Sequence, residues 1–313
     1  MSAPTIEKPP RRGCELALLV LLALAWGSAY ATTRITLQSI PPVTAVAVRV
    51  LLAALLLWTL ILWLGRPVPR DSETWRRLFV QSLLQSSIPF TMITWGQQFV
   101  DSGLAGVLNS TSPVFVTLIT LAWTRHERIG PGRLAGLALG VGGVLLIVGV
   151  EAFGGIGRGL AGQIAIVLAT VAFACAAIWG RGFAHVPVEV TAAGTLLLAG
   201  LTLLPFALWL EAPWTLAPTP ASVAALAVHA VFGGALGFLL YFRLVRTIGS
   251  LGVASVGYLK AGVSVLIGVV ALGEPLTWSL LIGLACVVAG VAAINGQLFG
   301  ARLPTVPGRA PAE

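Results

Sequence analysis

Residues 252–273 read GVASVGYLKAGVSVLIGVVALG and carry one charge, Lys260, near the middle. A helix of about 20 apolar residues crosses a bilayer, so the stretch predicts a spanning helix with an ammonium group near the midplane. Placing a charge there costs at least ~2.5–3.5 kcal/mol on insertion scales, and such a residue is a functional candidate by default. The plainer reading is a lysine that snorkels to an interface or pairs with a backbone carbonyl. The functional reading is preferred because no acidic residue lies inside any apolar span to neutralise the charge.

Composition agrees with that class. The chain is 57% hydrophobic and 10% charged, with a mean hydropathy of +0.95, which excludes an ordinary soluble domain. The net charge of +8 would point to nucleic acid in a soluble chain; here it points to loops facing anionic lipid. Cys14, Cys175 and Cys286 lack metal-ligand spacing and read as small apolar residues. Residues 1–14 form a basic, Pro-rich tail and 301–313 a second Pro-rich tail, both expected to be disordered. The apolar run 16–25 continues through Trp26 and Tyr30, so it reads as a first span and not as a cleaved signal.

Ten apolar segments succeed one another, near 15–35, 43–64, 77–98, 103–124, 132–150, 160–183, 188–210, 222–245, 249–272 and 277–298. Pro, Gly or charged residues punctuate them, as at Pro41-Pro42 and Gly273-Glu274-Pro275. Basic residues orient the bundle. One side collects Lys8, Arg11, Arg12, the arginines of 66–77 and 125–133, Arg181, Arg243, Arg246, Arg302 and Arg309; the other holds Arg34 and Arg158. That asymmetry places both termini in the cytoplasm. Arg49 lies near the outer end of its span and is expected to snorkel in a structural role.

The chain also repeats itself. Glu127, Leu134, Gly136, Leu137, Ala138, Gly143 and Val144 recur identically 147 residues later, as Glu274 to Val291. Each half, 15–150 and 151–300, holds an odd number of spans, so the second copy must lie upside down relative to the first. The expected architecture is an all-α membrane protein of ten transmembrane helices in two inverted five-helix repeats. Secondary transporters are built this way, with the substrate site near the midplane between repeats. Gly132, Gly136 and Gly140 form a small-residue face expected to pack within the bundle.

Ser112-Pro113-Val114-Phe115, Glu127, Gly136 and Gly143-Val144, with Gly273 to Thr277, Gly283 and Gly290-Val291 as a second copy, resemble the repeat signature of EamA-type carriers in the drug/metabolite transporter superfamily. Trp26-Gly27-Ser28 also fits, with Trp179-Gly180 as its echo. The resemblance implies a ten-helix inner-membrane carrier, commonly an exporter of metabolites, with aromatic amino-acid exporters as the expected nearest relatives. One departure stands out: Lys260 occupies the position of Pro113 in the first repeat.

Polar and aromatic residues inside the spans nominate the site: Lys260 and Tyr258, Trp26 and Tyr30, Gln85, Asn109 and Ser110, Trp95, Trp179 and His229. The plainer readings are a kinked helix for the Asn109–Ser110 run, an aromatic belt for Trp95 and Trp179, and an interhelical hydrogen bond for His229. A carrier of lipophilic cations would want a buried carboxylate, and none is present. Lysine facing a carboxylate, with rings and amides around it, suits an α-amino acid. A small-molecule substrate and the bilayer are then the partners, with no nucleic acid, and the chain is expected as a monomer or loose homodimer. Only Lys260 and His229 could carry a coupling proton, so a facilitator is favoured. The alternatives are a carrier of anionic metabolites such as sugar phosphates or nucleotide sugars, a multidrug exporter, and a non-transporting membrane component. No nucleophile–base pair, metal cluster or phosphate loop appears, so neither enzyme nor cofactor is expected.

Overall fold

The computed structural model describes residues 12–123, 131–153, 157–183, 186–241, 243, 244, 247 and 256–294. Residues 1–11 of the first expected tail, the whole of the second, and Glu127 lie outside the described residues, whereas residues 12–14 are helical and open the first helix instead of belonging to a tail. Helix α1 spans Arg12–Thr36 and α2 Pro42–Trp63, started by a proline whose missing N–H costs nothing in a first turn. Helix α3, Ser72–Ser82, is capped by Asp71, whose carboxylate accepts from the Thr74 amide at 2.7 Å. This cap carries the helix five residues further back than the expected start at 77.

From α3 the chain passes through a π-helical turn, Leu83–Ser87, into α4, Ile88–Gly96. Pro89 accounts for the wide turn, because it lacks a donor and its ring would crowd the carbonyl four residues back. The fourth expected span is divided into α5, Ser102–Asn109, and α6, Ser112–Trp123. Pro113 opens α6, while Ser110 Oγ and Thr111 Oγ1 bond back to the carbonyls of Gly106 and Leu108 at 2.8 and 2.6 Å. Next come α7, Pro131–Phe153, α8, Arg158–Trp179, and α9, Val188–Glu211. Helix α10, Pro220–Val228, widens into a second π-helical segment, His229–Leu236, which contains Gly233-Gly234. The first π segment shifted by 147 residues falls inside the second. Helix α11 is Val256–Leu272 and α12 Trp278–Ile294. Helix α11 runs unbroken through Lys260, whereas α5 and α6 break just ahead of Pro113.

Six helices are long and apolar enough to cross a membrane, and 134–149, α11 and 278–293 are shorter apolar helices. Large apolar side chains face outward, Leu62 at 72% and Val270 at 75% exposure. Water would penalise such a surface, and hydrocarbon matches it. The chain is a multi-pass membrane protein with no strands among the described residues.

Close pairings organise the bundle: α2 with α9, α7 with α12, α1 and α5 with α11, and α4 with α8. Glycines set the closest crossings. A Cβ on Gly290 would lie 2.6 Å from Gly140 N and 2.7 Å from Gly136 O. The small-residue face read from the sequence therefore packs inside the bundle, against α12. Gly96 and Gly162 meet in the same manner between α4 and α8.

Carboxylates that stand at span ends in the sequence act as helix caps. Glu211 accepts from the Val43 and Thr44 amides at 3.0 and 2.6 Å, closing the start of α2. Glu274 comes directly after Gly273, whose φ of +68° ends α11. Its carboxylate accepts from the Ser102 and Gly103 amides at 2.7 and 2.9 Å. Capping satisfies donors that have no intrahelical partner. Glu274→Ala should lower stability by about 1–2 kcal/mol, with Glu274→Gln losing less; unfolding midpoints in detergent measure both.

Candidate functional site

A cavity of about 380 Å³ opens where α1, α2, α4, α5, α8 and α11 meet the two π segments. Its size falls within the range of small-molecule sites. Trp26, Tyr30, Gln85, Asn109, His229 and Lys260 line it together with Arg49, Phe90, Gln97 and Phe173. Both π segments contribute, Gln85 from the first and His229 and Gly233 from the second.

Hydrogen bonds fix much of this wall. Asn109 Nδ2 donates to the Tyr30 hydroxyl at 2.7 Å, and Gln97 Nε2 to the Tyr30 carbonyl at 3.0 Å. Trp26 Nε1 donates to the Gly233 carbonyl at 3.1 Å, within the second π segment. The Trp26 ring lies 5.6 Å from Tyr241 and 6.3 Å from Phe238, and Phe90 meets Phe173 edge-on at 5.9 Å. These contacts make an enclosure of aromatic side chains interleaved with polar ones.

Two cations enter it. Arg49 sits with its guanidinium carbon 4.8 Å from the Phe90 ring centre. Its Nη1 is 2.9 Å from His229 Nε2 and 3.2 Å from Nδ1, and Thr33 Oγ1 is 3.3 Å from the latter. Lys260 has no hydrogen-bond or ion-pair partner among the described residues. No carboxylate lines the cavity among the described residues. Glu211 and Glu274 cap helices, and Glu15 accepts from Thr247 at 2.7 Å and lies 3.6 Å from Arg243.

A family model described as the EamA-like transporter family matches residues 14–149 and matches again over 160–296. The chain belongs to the EamA-like transporter family. YoaV of Bacillus subtilis strain 168, named an uncharacterized transporter, is 23% identical over 87% of this chain and 94% of its own length. YedA of Escherichia coli K12, named an uncharacterized inner membrane transporter, is 27% identical over 92% and 94%. One crystal structure, 18% identical, covers 94% of this chain and 100% of its own with a TM-score of 0.65, so the fold is shared. The protein is thus a membrane transporter.

In this EamA-like chain four residues singled out from the sequence stand apart from the cavity. Ser110 is buried and bonded to its own helix. Tyr258 packs against the apolar cluster that holds Ala261 and Val265. Trp95 is 40% exposed and meets Phe99 at 5.3 Å. Trp179, also 40% exposed, donates to the Arg77 carbonyl at 3.2 Å. Trp179 is therefore not the counterpart of Trp26. The residue 147 positions after Trp26 is Phe173, and that after Thr94 is Tyr241; all four line the cavity. The repeat offset thus ties Phe173 to Trp26 as its counterpart.

Arg49 also corrects the sequence reading. It does not snorkel outward, because His229 and Phe90 hold it inside. The polar signal is present in the sequence, an arginine within an apolar run, but counting turns from Pro41 places it near an interface.

Proposed function

We propose that this transporter exports small carboxylate-bearing metabolites, amino acids first among them, across the inner membrane. It works by alternating access between two inverted five-helix repeats, with both termini in the cytoplasm, as a monomer or loose homodimer. Kinship with aromatic amino-acid exporters belongs to the same reading. The observation that carries it is Lys260: an ammonium without an acidic partner among the described residues, on the wall of an aromatic cavity. Its natural complement is a carboxylate, and the rings can flank an apolar side chain or the substrate's own ammonium.

The inversion is supported by pairings that exchange consistently between halves. The contact of α1 with α11 answers to that of α8 with α5 and α6, and α2–α9 and α7–α12 are pairs of counterparts. The test is flux of labelled amino acids, a sugar phosphate and a quaternary cation through proteoliposomes, with and without a pH gradient. Amino-acid flux indifferent to the gradient is the expected result, since the cavity lining offers no carboxylate among the described residues to shuttle a proton. Flux of the cation alone would overturn the assignment.

A further inference from the structure

We propose that the cavity is built for a substrate carrying two acidic groups, an acidic amino acid or small dicarboxylate, with Lys260 engaging one and Arg49 the other. This rests on the carboxylate-carrier reading and narrows it. Arg49 belongs to α2 in the first half and Lys260 to α11 in the second, and both line the same cavity. The partners of Arg49 do not cancel its charge. A histidine nitrogen 2.9 Å away can accept from a guanidinium only through its lone pair, and the other contact is the face of Phe90. A cation in the membrane interior without a counter-ion is unfavourable, and here two, both partly exposed to the cavity, share one enclosure. A substrate with a single carboxylate answers only one of them.

Chemistry at each end fits the division. The guanidinium has five donors in a planar fork, and His229 occupies only one edge, so a carboxylate can be taken bidentately by the rest. Lysine is a compact point charge suited to the second carboxylate. An acidic amino acid also needs a place for its ammonium. The faces of Trp26, Phe90 and Tyr241 on the cavity wall can supply one. A substrate held at both ends would tie α2 to α11, so that occupancy draws the two halves together.

The purified full chain in proteoliposomes tests this by counterflow of labelled L-aspartate and succinate against L-leucine. Wild type should favour the diacids by about tenfold or more, the factor set by ~1.4 kcal/mol of selective binding. Arg49→Gln should lower the diacid-to-leucine ratio about tenfold, and Arg49→Lys, which keeps the charge but not the fork, should recover part of it. Should Arg49→Gln fail to run as a single species on size exclusion, the wild-type and Arg49→Lys ratios decide. Equal flux of aspartate and leucine, unmoved by the substitutions, overturns the two-headed site and leaves the carrier reading standing. Absence of any carboxylate flux in wild type removes both.

Discussion

Lys260→Ala should abolish amino-acid transport, with initial rates in proteoliposomes falling about 100-fold, while the protein still folds. The two halves of this expectation have separate physical grounds. A charge-assisted hydrogen bond contributes roughly 1.5–3 kcal/mol, and alanine offers the substrate no replacement donor. Folding does not depend on the side chain. The α1–α11 crossing beside it is set by Gly27, where a Cβ would lie 3.1 Å from the Lys260 carbonyl and 2.5 Å from Val263 Cγ1. That contact uses backbone and valine, both retained in the variant. Removing a charge that has no counter-ion among the described residues should leave the unfolding midpoint in detergent unchanged or raise it. Lys260→Arg should retain some transport with altered substrate preference. Wild-type uptake kinetics in Lys260→Ala would end the carboxylate-recognition idea.

Gly290→Ala should lose about 3 kcal/mol or more of stability, seen as aggregation or a much lowered midpoint in detergent. Its new methyl group would meet Gly140 N at 2.6 Å, Gly136 O at 2.7 Å and Gly140 Cα at 2.9 Å. All three are backbone atoms, so no rotamer change relieves the contact, and overpacking of this kind is destabilising. The whole α7–α12 pair would have to part. The internal control is Gly142→Ala on α7, where a Cβ meets nothing within 4 Å. That substitution should be neutral or stabilising by up to about 1 kcal/mol through helix propensity. Equal effects at the two positions would show that the crossing is looser than its geometry requires.

The spans are legible because hydrocarbon demands long apolar runs bounded by Pro, Gly and charge, and these are visible in any single sequence. Lys260, Asn109 and Gln85 are legible as cavity residues for the same reason: polar groups inside apolar runs are costly and seldom idle. The direction in which a side chain points is not legible. Trp26 and Trp95 carry the same signal, an indole in a span, yet one lines the cavity and the other faces outward. Helices apolar all round give no periodicity from which to choose a face. Arg49 is misplaced by its sequence because its inward pose depends on His229, which the second π segment brings from 180 positions away. A π turn adds a residue and rotates the helix beyond it, and neither Gln85-Ser86-Ser87 nor Gly233-Gly234 announces it in the sequence.

The divided path at 110–111 and the continuous rod through 260 have a consequence for the carrier's timing. Under alternating access the two repeats trade shapes, and mechanically identical repeats would make the inward and outward facings equal in energy. Here one arm has an elbow and its counterpart is stiff. Under the proposed alternating access the trade is unequal, so the empty protein should favour one facing over the other, with a population ratio set by that difference. An unloaded carrier of this kind waits at one door. Its flux from that side should saturate at lower substrate concentration than from the other, a rectification that would come from the backbone with no need of a coupling ion.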